Sequence, residues 1–248
     1  MFILSPLEQF EVNIFLPLSF FSIFDISITN ATLYMFLAFG SFLFLLFLGS
    51  YKLTVVPTRF QSVLELLYIF IFDMIKNQAG LKGQQFFPIL FITFGFVLFC
   101  NVLGLTPYAF TPTSHIIVTF MLAFSFFIGL TIVGFSRQGL GFLKLFVPSG
   151  VPVAILPLMI LIEIMSYCIR PISLSVRLFA NMLAGHTLLH IVAGFGISLL
   201  NFSVIVALLP VFLLLAISAL EFGIAFLQAY VFVILLCIYL NDSISAGH

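Results

Sequence analysis

The sequence predicts an all-α polytopic membrane protein with about five membrane helices, one interfacial amphipathic helix and a C-terminal hairpin of two long, steeply tilted helices. Three observations predict it. Of 248 residues, 63% are hydrophobic and 6% charged, where a soluble domain carries about a quarter of its residues charged. The apolar residues fall into runs of about 20 or more, the length of helix that crosses the hydrocarbon of a bilayer. Proline- and turn-rich stretches separate those runs. The whole chain, 1 to 248, reads as one membrane domain. No repeat of fixed period is visible, and the 35 phenylalanines are the main compositional bias.

In chain order, the N-terminus MFILSPLEQFEV has Glu8 and Glu11 where a secretory or transit peptide would carry basic residues, so no cleavable signal is expected. The first span is placed at 31 to 51, with Thr29 and Asn30 as cap residues. The stretch 54 to 84 mixes apolar residues with Arg59, Glu65, Asp73, Lys76 and Lys82, which suits a helix lying in the interface. A hairpin follows over 86 to 136. Its helices, 86 to 105 and 115 to 136, are separated by NVLGLTPYAFTPTSH.

From 151 to 241 the chain is almost continuously apolar apart from a turn-like stretch at 194 to 201. Two helices of about 40 residues fit, each about 60 Å long, or twice the hydrocarbon thickness, so they must tilt or bend. Pro171 is the expected bend, since it removes a backbone donor and crowds the carbonyl of Tyr167.

Charge excludes several functions and orients the chain. Eight basic and eight acidic residues cancel without any basic cluster, which argues against a nucleic-acid partner. Cys100, Cys168 and Cys237 are far apart within apolar runs, so neither a disulfide framework nor a zinc spacing is present. Outside the long helices, Lys52, Arg59, Lys76 and Lys82 share one loop, Arg137 and Lys144 the next loop on that side, and the opposite side has no lysine or arginine. The N-terminus is therefore expected outside and the C-terminus on the cytoplasm-equivalent side.

The charges within the long helices are the candidate site. Glu163, Arg170 and Arg177 recur every seven residues, so they share one helix face over about 21 Å. His186 follows Arg177 by nine residues, about 180° around and about 13 Å along, and His190 stands one turn further. In the second helix Glu221 and Gln228 are seven apart, and Asp242 lies near the end. A structural reading pairs Glu163 with Arg170 and His186 with Glu221. Against it, intramembrane ionisable groups generally mark ion or proton paths. His186, His190 and Glu221 would also suit a zinc site. The amides Asn101, Asn181 and Gln228 fit either a polar path or plain interhelical hydrogen bonding, and Gly185 permits close helix approach. Arginine keeps its charge, so Arg177 cannot relay protons; it can attract a carboxylate and interrupt a proton wire.

SLSVRLFANMLAGH at 173 to 186, IEIMSYCIRPISL, LEFGIAFLQAYVF and the terminal LNDS, with SPLEQFEV and FVPSGVP, resemble subunit a of the rotary (F-type) ATP synthases, in particular its mitochondrial form. The resemblance implies that Arg177 is the essential arginine, that His186 and Glu221 belong to an outer proton half-channel and that Glu163 and Asp242 belong to an inner one. With their neighbours, His190, Asn181 and Gln228 group with the outer path and Arg170 with the inner. A histidine at 186 with an acid at 221 reverses the expected bacterial arrangement, which points to the mitochondrial inner membrane. Pro171 departs from the family pattern, where another residue is expected. The implied partners are an oligomeric c-ring rotor, peripheral-stalk and other membrane subunits of the synthase, and lipid. No cofactor is implied, and no P-loop is present, so nucleotide chemistry is expected in partner subunits. The alternatives are a proton- or ion-coupled secondary transporter, against which no inverted repeat is visible, and a structural subunit of another respiratory complex.

Overall fold

The computed structural model describes residues 8–17, 19–20, 24–25, 27–51, 54–106, 109–147, 155–200 and 204–245. Six α-helices account for most of them: α1 (Asn30–Ser50), α2 (Arg59–Gly83), α3 (Phe87–Gly104), α4 (Ile116–Gln138), α5 (Leu156–Leu200) and α6 (Val204–Ser245). Five helical segments are long and apolar enough to cross a membrane, in α1, α3, α4, α5 and α6. The protein is thus an all-α polytopic membrane protein. Among the described residues before α1 are a 3-10 turn (Glu8–Phe10) and short strands: β1 (Ile14–Leu16) pairs antiparallel with β4 (Ile28–Thr29), and β2 (Ser19–Phe20) with β3 (Phe24–Asp25).

The helix ends follow from their sequences. At the start of α1, the Thr32 amide donates to Thr29 Oγ1 (3.4 Å) and the Thr29 amide donates to Thr32 Oγ1 (2.9 Å). This reciprocal arrangement satisfies donors that the first helical turn would otherwise leave without partners. Asn30 donates through Nδ2 to the Glu11 carbonyl, tying the N-terminal segment to the helix. Helix α4 ends where Gly139 takes φ 55°, the left-handed conformation that glycine adopts freely. Within α2, Gly80 has φ 64° and ψ −166°, so the element is two helical pieces joined at a kink.

Helix α5 is 45 residues long and α6 42. One expectation changes here. Residues 194 to 200 belong to α5, so the turn-like glycines lie within a helix; Gly196 is buried, and a Cβ there would make an ordinary contact with the Pro210 ring at 3.5 Å. Any turn between the long helices therefore starts after Leu200; residues 201 to 203 lie outside the described set. Pro171 is buried and lies inside α5, which continues through it.

The chain forms two compact units. The first contains Met1–Phe44, Gly95–His115 and Leu178–Ala229; the second contains Leu45–Phe94, Ile116–Arg177 and Tyr230–His248. In the first, Ala38, Phe42, Val97, Cys100, Met182 and Ala229 are buried. Phe42 lies against Gly95, where a Cβ would overlap its ring, and its ring centroid is 5.6 Å from that of Phe99. In the second, Ile71, Ile75, Phe94, Phe142, Leu174, Phe232 and Leu236 form the buried set. There Phe142, from the 3-10 segment Gly139–Phe146, fills the space beside Gly134. Large apolar side chains such as Phe36, Phe44, Leu209 and Phe212 are exposed, as lipid-facing helix surfaces require.

Candidate functional site

In the first unit α5 and α6 bring a set of polar groups together. Glu221 is buried, its side chain 3% exposed, and Oε1 lies 3.8 Å from His186 Nε2. That separation exceeds a hydrogen bond. Among the described residues, neither carboxyl oxygen of Glu221 nor His186 Nε2 has a hydrogen-bond partner. Gly185 makes the approach possible, because a Cβ at that position would stand 2.5 Å from Glu221 Oε1. The Phe10 ring meets the His186 ring edge-on with centroids 6.4 Å apart, so the N-terminal segment reaches this site.

Seven residues along α6, Gln228 accepts a hydrogen bond from Asn181 Nδ2 at 2.8 Å, while Gln228 Nε2 is buried without a partner among the described residues. Asn101 of α3 is fully buried; it donates to the Ala225 carbonyl (3.3 Å) and accepts from the Thr113 hydroxyl (3.0 Å). This set contains one carboxyl, one imidazole and several amides, some with unused hydrogen-bonding capacity among the described residues. The carboxyl and the imidazole can exchange protons with water, the amides can hold and orient that water, and burial of such groups without a partner is costly. His190 is exposed. Among the described residues no group of three or more His, Cys, Asp or Glu could hold a metal ion, so the zinc arrangement of His186, His190 and Glu221 is not formed.

The second unit holds a different cluster. Arg170 Nη1 donates to Asp242 Oδ2 at 2.9 Å, and the guanidinium lies over the rings of Tyr239 (4.8 Å) and Tyr167 (5.5 Å). The Tyr167 hydroxyl is 2.7 Å from Thr131 Oγ1. A cavity of about 10 Å³ adjoins Arg170, lined also by Tyr167, Pro171, Tyr239 and Ser243. That is about the space of one water molecule. The alternative structural reading, in which Glu163 pairs with Arg170, is not formed among the described residues. Arg170 takes Asp242 as its partner, whereas Glu163 is half-buried with no ion pair among the described residues. An i, i+7 pair on one helix is separated by about 10 Å of rise, whereas an antiparallel neighbour can meet Arg170 at its own level. Pro171 leaves that reach intact.

Arg177 differs from the other site residues. It is exposed, on α5, with no hydrogen bond or ion pair among the described residues. On the same helix the exposed residues include Ile169, Ile172, Val176, Ala180, Asn181 and Ala184. This surface is mostly small or aliphatic, with little beyond Arg177 and Asn181 to make directional bonds.

Sequence reasoning missed Thr113, Phe10, Tyr167 and Tyr239. Tyr239 stands three residues before Asp242 on one helix face, a spacing that could have found it. Nothing in the local sequence links Phe10 to His186.

Comparison with known proteins adds an independent finding. Residues 32–241 match the family described as ATP synthase A chain. The chain is 51% identical to ATP synthase subunit a of Pelagibacter ubique over 98% of this chain and 99% of that one. It is 48% identical to ATP synthase subunit a of Brassica napus, covering 97% of this chain and 96% of that one. With ATP synthase subunit a of Parvibaculum lavamentivorans the identity is 49%, over 100% of this chain and 96% of that one.

Proposed function

Because the chain belongs to the ATP synthase subunit a family, we propose that it is the proton-conducting stator subunit of a rotary ATP synthase, working through two offset half-channels separated by Arg177. The outer path uses His186, Glu221, Asn181 and Gln228, with His190 toward its mouth. The inner path uses Glu163 and Asp242, with Arg170 holding Asp242 in place. Carboxylates on a c-ring rotor pass Arg177 one at a time. A charged carboxylate in the bilayer centre is expensive, so each must be protonated before it turns into lipid, and the half-channels supply and remove that proton. Moving one charge through 100 mV is worth about 2.3 kcal/mol, so several protons are needed per nucleotide. The nucleotide chemistry itself lies in other subunits, and peripheral-stalk subunits hold this one against the rotor.

The observation that carries the reading is that Arg177, within an apolar helix of 45 residues, has no ion pair or hydrogen bond among the described residues. An arginine at a membrane helix centre costs about 2.5–3.5 kcal/mol on insertion scales. Arginine does not shed its proton, so the charge needs a partner from outside the chain. A succession of carboxylates meets that need and can also leave again. The family match over 32–241 leaves the secondary-transporter alternative without support. For location we propose the mitochondrial inner membrane, a reading that plant relatives support, with the N-terminus toward the intermembrane space and the C-terminus toward the matrix, as the distribution of lysine and arginine between the loops leads one to expect. Bacterial relatives match as well; fractionating the source cells decides between organelle and plasma membrane.

The test is substitution of Arg177. In membranes containing the assembled complex, Arg177→Ala is expected to abolish ATP synthesis while assembly persists. Arg177→Lys should fail also, since a compact ammonium on a shorter stem does not replace the planar guanidinium. Near-normal synthesis in either variant would overturn the proposal.

A further inference from the structure

The second unit contains a groove that the proton path does not use. It runs between the start of α3, one face of α4 and the end of α6, with a volume of about 260 Å³. Ser125, Gly129 and Val133 recur every four residues along α4 and form its wall; Phe86, Ile89, Leu236 and Leu240 complete it. The surface offers almost no hydrogen bonding. Its one hydroxyl, Ser125 Oγ, already donates to the Met121 carbonyl at 2.7 Å. A Cβ at Gly129 would meet nothing within 4 Å, so the groove is open beside it.

From Ser125 to Val133 the wall is about 12 Å long at 1.5 Å per residue. Over that length the lining is almost wholly apolar. An extended alkyl chain suits it.

The end of the groove is charged. Arg137 continues the same i, i+4 series one turn beyond Val133. Its guanidinium donates to Gln85 Oε1 and lies 5.6 Å from the centroid of the Phe86 ring, which lines the groove. Lys82 is exposed three residues before Gln85, and neither cation has a carboxylate partner among the described residues. An apolar slot ending in unneutralised cations matches the two parts of one molecule.

We infer that this groove binds an acyl chain of an anionic phospholipid, whose phosphate-bearing headgroup is held by Arg137 with Lys82 nearby. One basic residue near a membrane surface attracts an anionic lipid with a strength that corresponds to about fivefold enrichment. The alkyl chain is sequestered from bulk lipid between three helices, and Gly129 determines whether it can enter.

The test uses the assembled complex reconstituted in phosphatidylcholine vesicles. A small fraction of photoactivatable phospholipid is added, diazirine-tagged on the acyl chain, with either a phosphatidylglycerol or a phosphatidylcholine headgroup. Illumination is expected to label peptides containing 125 to 133 and 236 to 240, about fivefold more with the anionic probe at equal mole fraction. Gly129→Leu should abolish that labelling with both probes. Arg137→Gln, a surface change, should keep labelling and reduce the preference for the anionic headgroup. Equal labelling by both headgroups would overturn the proposal, as would labelling unaffected by Gly129→Leu. A groove that crosslinks only to another protein subunit would overturn it too, making the occupant a polypeptide.

Discussion

Gly185→Ala tests whether the geometry between Glu221 and His186 matters. The added methyl carbon would stand 2.5 Å from Glu221 Oε1, 3.0 Å from Cδ and 3.2 Å from Cγ. An ordinary carbon–oxygen contact is about 3.4 Å, so Oε1 must retreat by about 0.9 Å (3.4 − 2.5). Moved directly away from His186, that retreat would lengthen the 3.8 Å approach to about 4.7 Å. The obstacle is the far end of a flexible side chain, so folding should suffer little. Overpacking of about 1 kcal/mol is offset by the helix-propensity gain of alanine over glycine, which is of similar size. Proton transfer is more sensitive, since a misplacement of about 1 Å can cost 10²-fold in rate. The assay is ATP synthesis by the reconstituted complex under an imposed proton gradient, with assembly checked separately. We expect a loss of about 10-fold to 100-fold with the complex intact. Gly40→Ala, where a Cβ meets nothing within 4 Å, should leave the rate unchanged. Adding Glu221→Asp to Gly185→Ala should recover part of the rate, because the shorter side chain vacates the contested space. A normal rate in Gly185→Ala, or an equal loss in Gly40→Ala, would refute the reasoning.

Three further outcomes are expected. Single cysteines replacing His186 or Glu221 should react with a small thiol reagent added outside, and those replacing Glu163 or Asp242 with reagent added inside; labelling of all four from one side would refute the two-path arrangement. Asp242→Asn should lower thermal stability only slightly, by about 1 kcal/mol or less, because the Arg170–Asp242 pair is partly exposed at 19% and 34%. A double-mutant cycle with Arg170→Gln measures that coupling, and a value of several kcal/mol would contradict the estimate. Burial holds the His115 imidazole below its ordinary range. The folded state therefore binds fewer protons than the unfolded one, so this contribution is complete above about pH 6.5 and is lost as the pH falls through the folded value. Acidification should lower the Tm of the wild-type complex more than that of His115→Asn, and an equal fall in both would count against it.

Much of the architecture is legible in the sequence because lipid makes composition decisive. A run of about 20 apolar residues has few options in a bilayer other than a helix. The Thr29 cap was legible for the same local reason: its partner is three residues away. The candidate site was legible in its members and less so in its pairings. Seven-residue spacing puts Glu163 and Arg170 on one face, yet it is Asp242, 72 residues on, that meets the guanidinium. Periodicity reports on one helix at a time, and an ion pair depends on the axial register of two. Glycine within a helix was ambiguous for a related reason. Gly196 suggested a turn because glycine is a poor helix former in water, whereas α5 continues through it to Leu200.

The seating of Phe42 against Gly95 has a consequence for how this chain can vary over generations. Gly95 is a socket that any Cβ would close. A change to alanine, serine or valine, each one nucleotide away in the genetic code, would therefore meet the full bulk of the aromatic ring. Phe42 can shrink at the cost of a cavity, about 3–5 kcal/mol for loss of the whole ring, and only then can position 95 grow. The order of these two events is fixed by sterics. Lineages should consequently retain both residues or alter both, with the ring lost first, and the same ordering should govern Phe142 and Gly134.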